Sequence, residues 1–226
     1  MGEPFRGNTM TEKKVLVIED NIAEAIYAQL ELTKAGCKEF RAVTTLSEGL
    51  DIMHQYGAVL SDLFFPAGNV PTGQYVQYFL PFYVRYKEKR FEKIRDDNVV
   101  LRAVKACAEV FEVTPQEYVN TVMANLNTPP VILKAAKDSL AGIQDSEKYA
   151  NFLQIEEGIR SGTNLPLGII ACERASGLGI PAVIVTSTYH HDDAFEPVKD
   201  LLKVPYRDTL VDGRKDWKGG IELLLR

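Results

Sequence analysis

Val15-Leu16-Val17-Ile18-Glu19-Asp20-Asn21 decides the fold: four β-branched or aliphatic residues run without a polar break and stop abruptly in two carboxylates. A strand buried on both faces, as in a parallel sheet, reads as a continuous apolar run rather than an alternating one. Two further stretches repeat the pattern, Val59-Leu60-Ser61-Asp62-Leu63-Phe64-Phe65-Pro66 and Ala182-Val183-Ile184-Val185-Thr186-Ser187. Open α/β sheets place their working crevice outside the carboxyl ends of the strands. Glu19, Asp20, Asp62 and Thr186 are therefore expected to share one edge. Three carboxylates ~5 Å apart would repel by roughly 3 kcal/mol per pair at an effective dielectric near 20, which a cation relieves. Oxygen-only ligands favour a hard ion, and Mg²⁺ is the candidate.

Working outward, Lys14 to Asp20 reads as the first strand. Asn21 caps a helix over Ile22 to Ala35 that presents Ile22, Ala25, Ile26, Gln29, Leu30 and Thr33 at helical spacing and stops at Gly36. Phe40 to Val43 reads as a second strand, Thr44-Thr45 as the opening of a second helix, and Ala58 to Ser61 as the third strand. From residue 67 to 164 the chain reads as helices. Gln74 to Arg95 forms one stretch interrupted at Pro81, and Asn98 to Glu112 another. Thr114-Pro115-Gln116-Glu117 is a capping box opening a helix to Leu126. Val131 to Ala141 and Ser146 to Arg160 follow as two more. The α/β pattern returns with a helix from Ile169 to Gly177, a strand from Pro181 to Val185, a helix from Asp193 to Lys203, a fifth strand from Arg207 to Val211 and a last helix from Asp216 to Leu225.

Composition bounds the function. The chain has 226 residues, 46% hydrophobic and 25% charged, as soluble globular proteins do. Its formal net charge of -5 gives no global case for nucleic acid. No apolar run approaches the ~18 residues of a membrane span, and residues 1–12, read as a disordered leader, lack a signal-peptide core, so a cytoplasmic protein is expected. Cys37, Cys107 and Cys172 are widely spaced and fit reduced thiols. Aromatics from Tyr75 to Tyr86 precede a cationic stretch from Arg85 to Arg95. That pairing can suit single-stranded nucleic acid, but an amphipathic helix with packed rings and solvated charges is the reading preferred, and nucleic acid is not expected as a partner. His190-His191-Asp192-Asp193 holds metal-ligand types without a recurring i, i+4 partner and reads as a solvated loop.

The order Glu19-Asp20-Asn21, Asp62-x-x-Phe65-Pro66, Thr186-Ser187 resembles the receiver domain of two-component response regulators. The resemblance covers residues 13–66 and 165–226, with residues 67–164 as a helical insertion. It implies a flavodoxin-like, five-stranded doubly wound parallel sheet in the order 2-1-3-4-5. It also implies a non-enzymatic phosphoacceptor: Asp62 takes a phosphoryl group from a histidine kinase or phosphotransfer protein, and Mg²⁺ is held by Glu19, Asp20, Asp62 and the backbone carbonyl of Phe64. Thr186 would bind the new phosphoryl group, and output would pass through contacts with a further protein. The family's lysine at the end of the fifth strand is missing, since Asp212 follows Thr209-Leu210-Val211 and would add repulsion to the pocket. A loop bending at Gly213 would bring Lys215 back. If it does not, the alternative is a pseudo-receiver scaffold that binds a partner through its insertion without phosphorylation. A Mg²⁺-dependent phosphotransfer enzyme is a third reading, although the Asp-x-Asp signature of haloacid-dehalogenase-like phosphatases is absent.

Overall fold

The computed structural model describes residues 13–68, 70–91, 99–124, 129–187 and 193–225. The chain divides into two compact units, Met1–Tyr83 with Ile155–Arg226, and Val84–Gln154.

The first unit starts with strand β1 (Lys14–Ile18), in which Val15 to Ile18 are wholly buried. Helix α1 (Ile22–Lys34), strand β2 (Glu39–Val43), helix α2 (Leu46–Ile52) and strand β3 (Ala58–Ser61) follow. Both helices start on side-chain caps: Asn21 Oδ1 accepts from the Ala23 and Glu24 N–H groups, and Thr45 Oγ1 from that of Glu48. Of the stripe expected on α1 only Ala25 is buried. It faces the core with Ala28 and Leu32, while Ile22, Ile26 and Leu30 are exposed. Both stripes have helical spacing, and the smaller side chains allow the closer approach to the sheet.

The second unit is helical, and its first helix begins, and its last helix ends, in residues of the first unit. Helix α3 (Thr72–Phe91) runs through Pro81 without the expected interruption. Pro81 and Gln77 lie on its exposed side, where water can serve the carbonyl that proline leaves unpaired. Residues 92–98 lie outside the described residues, and with them the expected ends of two helices. Helix α4 (Val99–Val110) precedes helix α5 (Pro115–Ala124), whose capping box forms as read: Thr114 N–H donates to Glu117 Oε2 at 2.8 Å and Glu117 N–H to Thr114 Oγ1 at 3.2 Å. Helix α6 (Pro130–Ser161) is one helix where two were expected. A glycine inside a helix costs only about 1 kcal/mol, so Gly142 does not break it. Buried Ala136, Ser139 and Ile143 before that point and Phe152, Glu156 and Ile159 beyond it keep helical spacing. Val119, Ala136 and Ile143 form this unit's core, and the Phe91 ring stands 5.3 Å from both Tyr149 and Phe152.

The chain completes the first unit with helix α7 (Gly168–Gly177), strand β4 (Ala182–Val185) and strand β5 (Tyr206–Arg207). The sheet is all-parallel in the order β2-β1-β3-β4-β5, the flavodoxin-like arrangement. Between β4 and β5, the helix expected over Asp193 to Lys203 is a 3₁₀ helix, Glu196–Leu201. Pro197 removes a donor there, and Phe195 and Val198, both fully buried, keep the three-residue step of that geometry. His190, His191 and Asp192 lie outside the described residues, as does the leader.

The fifth strand expected from Arg207 to Val211 is also corrected. It ends at Arg207, and Leu210–Val211 (β6) turns back to pair antiparallel with Arg214–Lys215 (β7). Asp212 and Gly213 form the turn with φ of 52° and 75°. Two successive positive φ values make the type I′ geometry that matches strand twist, and Asp-Gly suits it. Helix α8 (Trp217–Leu224) follows, capped by Asp216, whose Oδ1 accepts from the Gly219 N–H at 2.9 Å. Val15, Val17, Leu60, Val183 and Val185 from the strands pack with Ala28 and Leu32 of α1 and with Trp217, Ile221 and Leu224 of α8.

Candidate functional site

The site grows out of the ladder itself. Glu19 N–H donates to Val43 O at 3.0 Å, Asp62 N–H to Ile18 O at 2.9 Å and Thr186 N–H to Arg207 O at 2.8 Å. Each of these residues thus makes the first backbone bond past its own strand, at the carboxyl edge, with its main chain fixed by the neighbouring strand. Oxygens of Glu19, Asp20 and Asp62 come within 4.8 Å of one another. Glu19 is fully buried, Asp62 nearly so and Asp20 half-buried. Thr186 is buried at the same edge. Phe64 lies in the loop after β3, between buried Leu63 and Phe65, and its carbonyl is a ligand candidate by position alone.

Lys215 reaches this cluster. Its Nζ lies 2.5 Å from Glu19 Oε2 and 2.9 Å from Asp62 Oδ2. The hairpin does what a longer fifth strand could not. Strand residues alternate faces, so Arg214 points outward, its guanidinium 4.7 Å from the Tyr27 ring, and Lys215 points inward. Asp212, expected to sit in the lysine's place and repel phosphate, is exposed at the turn instead.

The carboxylates are unequally satisfied. Glu19 Oε1 accepts from the Asn21 N–H at 3.0 Å while its Oε2 takes the lysine. Asp62 Oδ2 takes the lysine, and its Oδ1 is buried with no hydrogen-bond partner. Burial, then the Asp62 charge, push the Glu19 carboxyl up to about 8, against the pull of Lys215. Burial also raises Asp62, again opposed by Lys215. For Lys215, burial works against the charge, but the two carboxylates outweigh it and hold the ammonium above its usual range. One cation therefore serves more carboxylate charge than it can offset. A hard donor set with an orphaned buried oxygen fits a small divalent cation.

Two features were not read from the sequence. The Trp217 indole N–H donates to Glu24 Oε2 at 2.9 Å, tying α8 to the first turn of α1. Gly168 N–H donates to Leu63 O at 2.9 Å, and a Cβ on Gly168 would lie 2.9 Å from Leu63 Cα. The cysteines are free, Cys37 and Cys172 buried, with burial pushing the Cys172 thiol up to about 12. Among the described residues no helix is long and apolar enough to cross a membrane.

Fold and site together define a flavodoxin-like α/β protein with a lysine-bridged carboxylate cluster at the carboxyl edge of its sheet. Comparison with known protein families, with curated proteins and with solved structures finds no match to the chain.

Proposed function

We propose that this chain is a receiver-like signalling protein in which Asp62 accepts a phosphoryl group. The observation that carries the reading is Lys215 Nζ lying 2.9 Å from Asp62 Oδ2, beside Glu19 and Asp20. Four charged side chains from three segments of the chain meet at one edge, at a cost in burial and repulsion that packing alone does not require.

An Asp62 carboxylate oxygen forms the new O–P bond while the donor's P–N or P–O bond breaks and the leaving imidazole or carboxylate departs with the electron pair. The product is a mixed anhydride on Asp62. Lys215 lowers the negative potential that the incoming group meets, and Thr186 offers a hydroxyl from the next strand end. Asp20, Asp62 and the Phe64 carbonyl would hold Mg²⁺, with Glu19 acting through water because both its oxygens already accept hydrogen bonds. When bound, the ion supplies positive charge that offsets repulsion between the carboxylates and the phosphoryl oxygens. The donor class is a phosphohistidine of a kinase or phosphotransfer protein in the cytoplasm, and the helical insertion is the surface offered to an output protein.

The test is incubation with an acyl phosphate and Mg²⁺, followed by mass spectrometry. One added phosphate, removed by hydroxylamine and absent in Asp62→Asn, is the expected result. A folded protein that stays unmodified under these conditions overturns the reading in favour of the phosphorylation-independent scaffold.

A further inference from the structure

Lys215 reaches the carboxylates from an unusual support. Its strand β7 has two residues and pairs only with β6, outside the main sheet. The hairpin fixes the backbone, and Asp216 N–H closes it by donating to Thr209 O at 3.2 Å. That leaves the side chain, a flexible four-carbon stem with many rotamers open to it. Its two ion pairs hold the ammonium once it has arrived between Glu19 and Asp62, and a contact on the side chain's flank restricts the rotamers from which it arrives.

We infer that Trp217, anchored by its indole N–H on Glu24, is the positioning residue that aims Lys215 into the carboxylate cluster. The indole is fully buried, and its ring centroid lies 6.0 Å from Lys215 Nζ, within reach of a cation–π contact. A buried indole N–H needs an acceptor, and Glu24 Oε2 supplies one at 2.9 Å. Glu24 stands in the first turn of α1, three residues after Asn21, whose N–H holds Glu19. The clamp therefore ties the segment carrying the lysine to the same strand-to-helix junction that carries two of the acids. Gly220 completes the fit: α8 lies so close to Val185 of β4 that any side chain at that position would collide with the valine. Indole, lysine and carboxylates then have one mutual arrangement.

The inference rests on the phosphoacceptor reading for the purpose of the aim, but its test needs no phosphorylation. In the full chain, the rate of Lys215 modification by an amine-reactive acetylating reagent is followed by mass spectrometry, with exposed Lys34 as reference. Buried and doubly ion-paired, Lys215 should be strongly protected in the wild type. Glu24→Ala and Trp217→Phe should each speed its modification by about tenfold, as loss of one charge-assisted hydrogen bond implies. Glu24→Gln, which keeps an acceptor oxygen, should restore protection. Thiol reactivity of buried Cys37 and Cys172 separates aiming from general loosening, and it should not change. Wild-type rates in Glu24→Ala, failure of Glu24→Gln to restore protection, or thiols opening in step with Lys215 would each overturn the inference. If Trp217→Phe does not fold, the two Glu24 variants decide alone. A protected Lys215 in a protein that takes no phosphate would sink the functional reading and leave this inference standing.

Discussion

Phe65 and Leu165 exchange both of their backbone hydrogen bonds, each 2.8 Å long, so the two ends of the helical insertion are stitched together three residues beyond Asp62. Ala67 N–H adds a bond to Gly162 O at 2.9 Å, and Gly168 N–H one to Leu63 O at 2.9 Å. The loop carrying Asp62 is thereby a shared seam between the sheet and the start of α7.

Gly168→Ala tests how tight that seam is. The added methyl would lie 3.0 Å from the Asp62 carbonyl carbon and closer still to its oxygen, against backbone that cannot swing aside as a side chain could. Overpacking of this kind costs about 1–3 kcal/mol. Urea unfolding should show that loss, and calorimetric Mg²⁺ titration should show weaker binding as Asp62 shifts. Gly73→Ala is the control, since nothing lies within 4 Å of its added carbon and the position is helical, so it should stabilise by roughly 0.5–1 kcal/mol. A Gly168→Ala protein as stable as the wild type would show the seam to be compliant.

The sheet and its acidic edge were legible because continuous apolar runs ending in carboxylates have few other uses: β3 occupies the residues read for it, and Glu19, Asp20 and Asp62 converge. The errors fell where two local signals competed. In α1 two stripes had helical spacing, and packing distance to the sheet, which a sequence does not display, chose Ala25, Ala28 and Leu32. In α6, residues 142–145 read as a gap between two helices, Val131 to Ala141 and Ser146 to Arg160, although a glycine there costs little beside the burial of Ile143 and Phe152. The hairpin was readable. Asp212-Gly213 between Leu210-Val211 and Arg214-Lys215 is a strong short-range turn signal, but the run Thr209-Leu210-Val211 also reads as a continuation of the strand from Arg207. The Trp217 to Glu24 bond had no signal at all, since it joins two helix starts far apart in the chain.

Stability should fall as pH rises through the range where the unfolded carboxyls ionise and the folded ones do not. Glu19 goes from an ordinary value of 4.5 to about 8 in the folded protein, and Asp62 is raised as well, both chiefly by burial. Between those values the folded state binds more protons than the unfolded state, so the stabilisation is complete below pH 4.5, declines above it and is lost once pH passes about 8. Saturating Mg²⁺ favours the ionised carboxylates and should flatten or reverse the decline. Urea midpoints from pH 4.5 to 8.5, with and without Mg²⁺, check this against Glu19→Gln, which lacks the titrating group and should show the shallower slope. Equal slopes in the two proteins would exclude Glu19 as the source.

Opposite substitutions at the ion pair should move stability in opposite directions. Lys215→Met leaves two buried carboxylates without their cation, and breaking a buried pair from one side costs about 3–5 kcal/mol. Asp62→Asn removes one of the two charges that share the lysine and leaves Glu19 and Lys215 as a balanced pair. It should gain on the order of 1 kcal/mol at pH 8 and less at pH 5, well below the value of about 8 to which Glu19 is raised, where that carboxyl holds its proton and competes less for the lysine. Thermal unfolding of both variants at the two pH values reads this directly. A stabilised Asp62→Asn protein would mean that the aspartate is kept at the expense of stability, as residues of functional sites commonly are.

The hairpin turn offers the cleanest separation of backbone from charge. Asp212 and Gly213 hold φ of 52° and 75°, the left-handed region in which a β-branched residue is strained, and both side-chain positions are exposed. Gly213→Val should therefore lose about 1–2 kcal/mol from conformation alone. Asp212→Asn should be neutral, because asparagine tolerates the same region and the carboxylate at the turn serves no partner in the acidic cluster. Loss of the turn also unpins the register Leu210 to Lys215 and Val211 to Arg214, on which the inward face of the lysine depends. Lys215 modification should thus accelerate in Gly213→Val and stay slow in Asp212→Asn, measured in the same labelling assay at matched distance below each variant's melting point. A Gly213→Val protein with a protected Lys215 would show that the side-chain contacts hold the lysine without help from the turn.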